Sequence, residues 1–126
     1  MSDRRRDLAA TLDRQLDSIS KPEERLLWLS NHLIEYVDRL IGFAELPDVT
    51  LQSVLQSDHF VVVALASERV RNEVVSHPFT QEVVAAAERP IAAVSRLAQA
   101  ADPVQLKELR SSTQQLQDMV SRMNAS

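Results

Sequence analysis

Phe60-Val61-Val62-Val63-Ala64-Leu65-Ala66 is the stretch on which the fold turns, since a continuous apolar, β-branched run suits a buried strand as well as the inner half of a helix. Its surroundings decide for helix. The run passes without glycine or proline into Ser67-Glu68-Arg69-Val70-Arg71-Asn72-Glu73-Val74-Val75 and stops only before Pro78. No second strand candidate exists to pair with it, and a lone strand would leave its backbone groups unsatisfied. A helix over 58–76, capped at Ser57-Asp58, is therefore expected. Its first half should be buried on most sides, and its second half should carry a polar face.

Upstream, Leu26, Leu27, Trp28, Leu29, Leu33, Ile34, Tyr36, Val37, Leu40 and Ile41 form a stripe too wide for a helix that touches one neighbour. This is the expected central helix, over 21–42. Ser20-Lys21-Pro22-Glu23 reads as its start, with Ser20 as cap, Pro22 in the first turn and Glu23 closing a capping box. Gly42 reads as its C-terminal cap, with Pro47 beyond. A short helix over 50–56 can start at Asp48 or Thr50. Before all of these, Leu8, Ala9, Leu12, Leu16 and Ile19 recur at three- and four-residue spacing and predict a one-faced helix over 3–19.

Downstream, Thr80 can cap an alanine-rich helix over 80–101, in which Pro90 predicts a kink near 86–90 or a break into two. Asp102-Pro103-Val104-Gln105 combines a cap, a proline and a capping-box glutamine, and opens a last helix over 103–123 with a frayed tail after it. In that helix Leu106, Leu109, Thr113, Leu116, Val120 and Met123 alternate three- and four-residue steps. Such a heptad seam packs against one or two helices, within the bundle or across a dimer interface, and its short length favours the bundle. The fold class is all-α: a single-domain helical bundle of five to six helices over 1–126.

Composition agrees with one globular domain. The chain has 126 residues, 44% hydrophobic and 25% charged, and a single glycine, which leaves little scope for phosphate-cradling loops or tight hairpins. The net charge of −4 falls within residues 21–78, both ends of the chain sum to zero and no segment is basic, which argues against nucleic acid or anionic membrane as partner. Arg4-Arg5-Arg6 lies between Asp3 and Asp7 and reads as a solvated first turn. With no cysteine, disulfides, thiolate metal sites and a cysteine nucleophile are excluded. Residues 1–20 lack the pattern of a signal peptide, no run is apolar enough to span a membrane, and a cytoplasmic location is expected.

No catalytic, cofactor-binding or metal-ligating residue is assigned. A di-iron bundle needs Glu-x-x-His pairs on facing helices, whereas His32 with Glu35 is in reversed order and Glu73 with His77 is one residue too far apart. His32, His59 and His77 read as surface or capping residues, and Asp58-His59 is not specific enough for an acid–base pair. The enzyme alternative would require a concave pocket lined by two or more of His32, His59, His77, Asp58 and Glu73. A DNA-binding regulator would require polar and basic residues at the start of a recognition helix, where this chain has Phe60 to Leu65. The expected function is accordingly non-enzymatic: an adaptor, regulatory or assembly protein that binds a protein partner through helical surfaces, with homodimerisation as one form. The seam residues Leu106, Leu109, Thr113, Leu116, Val120 and Met123, together with Trp28 and Phe79, are the candidate interface.

Overall fold

A computed structural model describes residues 2–100 and 102–125. Its elements are α1 (Ser2–Asp17), α2 (Pro22–Ala44), α3 (Leu51–Gln56), α4 (Asp58–Ser76), α5 (Gln81–Gln99) and α6 (Pro103–Ala125), with no strand among the described residues. The protein is an all-α, single-domain helical bundle. The deciding stretch is helical, and its burial follows the expected division. Phe60, Val63, Leu65 and Ala66 are buried and Val61, Val62 and Ala64 half-buried, whereas Glu68, Arg71, Asn72, Val75 and Ser76 are exposed.

Four helices close into a ring, α2 and α5 each packing along both α4 and α6. Side-chain pairs fix their directions. Arg25 at the start of α2 meets Glu73 near the end of α4 at 3.0 Å, and Phe43 near the end of α2 lies against His59 at the start of α4, so these two run antiparallel. Glu82 pairs with Arg122 and Arg89 with Glu108, which makes α5 and α6 antiparallel as well. The result is an up-and-down four-helix array with two additions. Short α3 bridges α2 to α4 and buries Val54. Helix α1 lies outside the ring and runs parallel to α4: Arg4 near its start pairs with Asp58 at 3.0 Å, and Asp13 further along pairs with Arg69 at 2.6 Å.

The core is built from one stripe per helix. Leu26, Leu29, Leu33, Val37 and Leu40 of α2 are essentially sealed from water, as are Val63 and Val70 of α4, Leu97 of α5, and Leu109 and Leu116 of α6. Truncating one such leucine to alanine typically costs about 2 to 5 kcal/mol, through lost burial and the cavity left behind. Helix starts follow the expected chemistry at Thr50, Ser57 and Thr80. Each hydroxyl accepts the backbone N–H three residues on, at 3.1, 3.3 and 3.4 Å respectively.

Several local expectations are corrected. The cap of α2 is Lys21, whose side chain makes no capping bond, and not Ser20. Pro22 at the first helical position favours extended backbone at the residue before it, so the non-helical cap falls on Lys21 and the Ser20–Glu23 box is one residue out of register. Gly42 is not a cap either. Helix α2 continues to Ala44 and no glycine has positive φ, because Phe43 and Ala44 still have core to pack against. Pro90 does not break its helix: α5 is continuous from Gln81 to Gln99. Ala87, Pro90, Ala93, Val94 and Leu97 form its buried stripe, and that burial outweighs the one hydrogen bond the proline removes. At the start of α6, Asp102 Oδ1 accepts from the Val104 N–H at 2.9 Å, but Gln105 Oε1 is buried without a partner and the capping box is not closed. Helix α6 extends through 124–125, where fraying was expected. Helix α1 ends at Asp17, and Ser18 and Ile19 form a tightened last turn through bonds to the Gln15 and Leu16 carbonyls. The expected end of α5 at Ala101 lies outside the described residues.

Candidate functional site

The three histidines occupy three different settings. His32 stacks on Trp28 with ring centroids 4.0 Å apart, and its Nδ1 lies 2.9 Å from the Trp28 carbonyl oxygen. His59 packs on Phe43 at the far end of α2, with centroids 5.1 Å apart. His77, at the opposite end of α4, places Nε2 3.2 Å from Glu73 Oε1. Among the described residues no group of three or more His, Asp or Glu is gathered closely enough to hold a metal ion.

Glu73 is the unusual residue. It stands ten positions after Val63, seven after Ala66 and three after Val70, on the buried stripe of α4, and its side chain is 8% exposed. A carboxylate there must be matched by a cation. The match comes from Arg25, in the first turn of α2, whose Nε donates to Glu73 Oε1 at 3.0 Å. Arg25 Nη1 also donates to the carbonyl oxygens of Leu16 (2.9 Å) and Ile19 (3.1 Å), closing the C-terminal end of α1. One turn earlier on α4, Arg69 donates from Nε and Nη2 to the two oxygens of Asp13, at 2.6 and 3.1 Å. That bidentate bond to Asp13 holds the Arg69 guanidinium above its ordinary pKa, against the opposing effect of burial.

Around these groups lies an open cleft of about 510 Å³ between α1, α2 and α4, lined by Asp13, Asp17, Arg25, Arg69, Glu73 and His77 among others. It brings together Glu73 and His77, so the enzyme alternative's requirement of a pocket lined by two or more of its five residues is met here, while His32, His59 and Asp58 lie elsewhere. The donors of Arg25 and Arg69 named above all point to protein acceptors, so the cleft acts first as a polar clamp joining three helices. Of its residues, Arg25, Arg69 and Asp13 escaped sequence reasoning. The legible signal was Glu73 itself, an acid on an apolar stripe.

The candidate interface divides in two. Leu109, Thr113, Leu116 and Val120 are buried within the chain. So are Ser112 and Met119 beside them, and the stripe is therefore wider than a heptad seam, because α6 wedges between α2 and α5. Thr113 is accommodated by donating its hydroxyl hydrogen to the Leu109 carbonyl at 2.5 Å. Leu106, Met123, Trp28 and Phe79 are half-buried. Phe79 and Met123 come together with Val83 and Met119 in a groove of about 410 Å³ where α5 begins and α6 ends, rimmed by Glu23, Glu82 and Arg122.

Half-way up the other side of the bundle, Tyr36 of α2 faces α1 beside Val62 and Leu65 of α4. Burial and the neighbouring Glu35 raise its phenol above the ordinary value, with Arg39 acting in the opposite sense.

No family model, curated protein or solved structure matches the chain. No helix among the described residues is long and apolar enough to cross a membrane.

Proposed function

We propose that the protein is a non-enzymatic interaction module, an adaptor or assembly protein that binds a protein partner through its helical surfaces and associates first of all with a second copy of itself. The observation that carries this reading is the groove at the α5/α6 end, where the half-buried Phe79, Val83 and Met123 gather apolar surface around an open channel with charges of both signs at its rim. An apolar centre with a polar, mixed-charge rim is the anatomy of a protein–protein contact. A second copy supplies a matching apolar face by symmetry. The dispersed histidines and the mutual pairing of Arg25, Glu73, Asp13 and Arg69 favour binding over catalysis.

The mass of the intact chain in solution, measured by light scattering across a concentration series, tests this. A dimer is expected, converted to a monomer of unchanged helicity by Phe79→Asp. A chain that stays monomeric at its highest soluble concentration overturns self-association. A dimer indifferent to Phe79→Asp overturns the choice of groove.

A further inference from the structure

The polar cleft and the Phe79 groove meet at one short turn. His77, Pro78 and Phe79 join α4 to the cap of α5 at Thr80. The turn is stiff, because Pro78 fixes its own φ and the Phe79 N–H donates to the His77 carbonyl oxygen at 2.9 Å. Its two ring side chains serve different sites. The His77 imidazole lines the cleft, with Nε2 3.2 Å from Glu73 Oε1, the oxygen that also accepts from Arg25 Nε. The Phe79 ring lines the groove and stands edge-on to the imidazole, with centroids 6.0 Å apart. A shift of the imidazole is therefore felt by the ring that forms the groove wall, through ring contact and through a three-residue turn.

Imidazole is the side chain that changes charge between about pH 5 and pH 8. The charged groups facing His77 across the cleft are Glu73 and Arg69 of α4, Arg25 of α2, and Asp13 and Asp17 of α1. Beyond Phe79 stand Glu23 of α2, Glu82 of α5 and Arg122 of α6. Glu73 is in direct contact, and a hydrogen bond from a charged imidazole to its carboxylate is stronger than one from a neutral ring. His77 also caps the C-terminal end of α4, where the helix dipole favours a cation. We propose that His77 is a proton-operated latch on the Phe79 groove: the charged imidazole locks the turn onto Glu73, holds Phe79 in the groove wall and strengthens self-association there. A neutral imidazole is free to turn an unprotonated Nε2 towards the carboxylate, which releases the latch. The inference rests on the reading of that groove as the contact between copies, and supplies its regulation.

The dimer affinity of the full chain, measured by sedimentation at about pH 6 and about pH 8, tests this. Acidification also weakens the self-repulsion of a chain of net charge −4 and titrates His32 and His59, so the gain on acidification is read relative to His77→Gln, which keeps both effects. The wild-type gain should exceed that of His77→Gln about fivefold, a modest factor because the imidazole is 34% exposed. Glu73→Gln keeps the imidazole but removes its charged acceptor, and should lower the gain to the His77→Gln level. NMR on the dilute monomer gives a second readout. Nuclear Overhauser contacts from the Phe79 ring to Val83 and Met123 should strengthen as His77 takes up its proton, and should not change with pH in His77→Gln. Equal gains in wild type and His77→Gln overturn the latch, as does a Phe79 ring whose contacts ignore the titration of His77. A chain that is monomeric at both pH values refutes the reading of the groove, and the ring contacts then decide the latch by themselves.

Discussion

Arg25 Nε lies 3.0 Å from Glu73 Oε1 across the α2/α4 interface, with the glutamate side chain 8% and the arginine 26% exposed. One partner is therefore deeply desolvated and the other partly wet. Arg25→Met leaves the Glu73 carboxylate with only His77 and removes two donors from the end of α1. The expected loss is about 2 to 3 kcal/mol, below the range for fully buried pairs because Arg25 keeps some solvent. Adding Glu73→Leu should recover much of that loss, since the penalty comes chiefly from the stranded charge. Urea unfolding of the two single variants and the double variant measures this. A double variant as unstable as the sum of the singles would show that the two residues act independently.

Gly42 lies inside α2, is exposed, and an added Cβ would meet nothing within 4 Å. Its backbone is helical, so Gly42→Ala should stabilise the protein by about 0.5 to 1 kcal/mol, through a smaller loss of chain entropy on folding. A left-handed cap at the same position would give the opposite sign. Thermal unfolding decides between them, a lowered Tm counting against a helical Gly42.

Ser30 and Ser67 are buried, and neither hydroxyl has a hydrogen-bond partner. The antiparallel register in which Arg25 meets Glu73 and Phe43 meets His59 brings them close to the same level of α2 and α4. Both oxygens are desolvated for no return. Ser30→Ala and Ser67→Ala should each raise stability by about 1 kcal/mol, as removal of an unsatisfied polar atom at nearly constant volume does. Chemical denaturation of each variant provides the measurement. A loss of stability in both would mean that the hydroxyls are engaged.

How much of this was legible depended on whether the signal was local. The valine run at 60–66 was resolved as helix because continuity and the lack of a strand partner are sequence properties. Thr50, Ser57 and Thr80 acted as read, since a cap is decided within four residues. Gly42 is a local stop signal that is overridden, because Phe43 and Ala44 still have core to pack against. At Pro90, where a kink or a break is expected, the helix is not broken, and the buried stripe of Ala87, Val94 and Leu97 runs across it. The seam of α6 was correctly seen as apolar, but whether α2 and α5 or another copy covers it depends on contacts from chain segments far away. Phe79 and Met123 belong to one candidate interface in the sequence, but only folding shows that these two share a groove from which Trp28 and Leu106 are absent. The Arg25–Glu73 clamp spans 48 positions, a distance over which periodicity carries no information.

The last prediction concerns Tyr36, whose phenol is raised above the ordinary 10.0, first by burial and then by Glu35. A raised folded-state value means that the folded protein holds the phenolic proton more tightly than the unfolded chain does. The stabilisation is therefore fully present below the unfolded value and is lost as pH rises past it, because the unfolded state ionises first. As pH rises through the ordinary 10.0 towards the raised folded value, stability should fall, and Tyr36→Phe should flatten that part of the profile while leaving stability near pH 7 almost unchanged. Tyr36 faces α1, so ionisation also places a charge beside that helix. Hydrogen exchange of α1 should accordingly accelerate over the same range in the wild type and not in Tyr36→Phe. A stability profile and an exchange rate that are both indifferent to the substitution would show that the phenol is as well solvated in the folded chain as in the unfolded one.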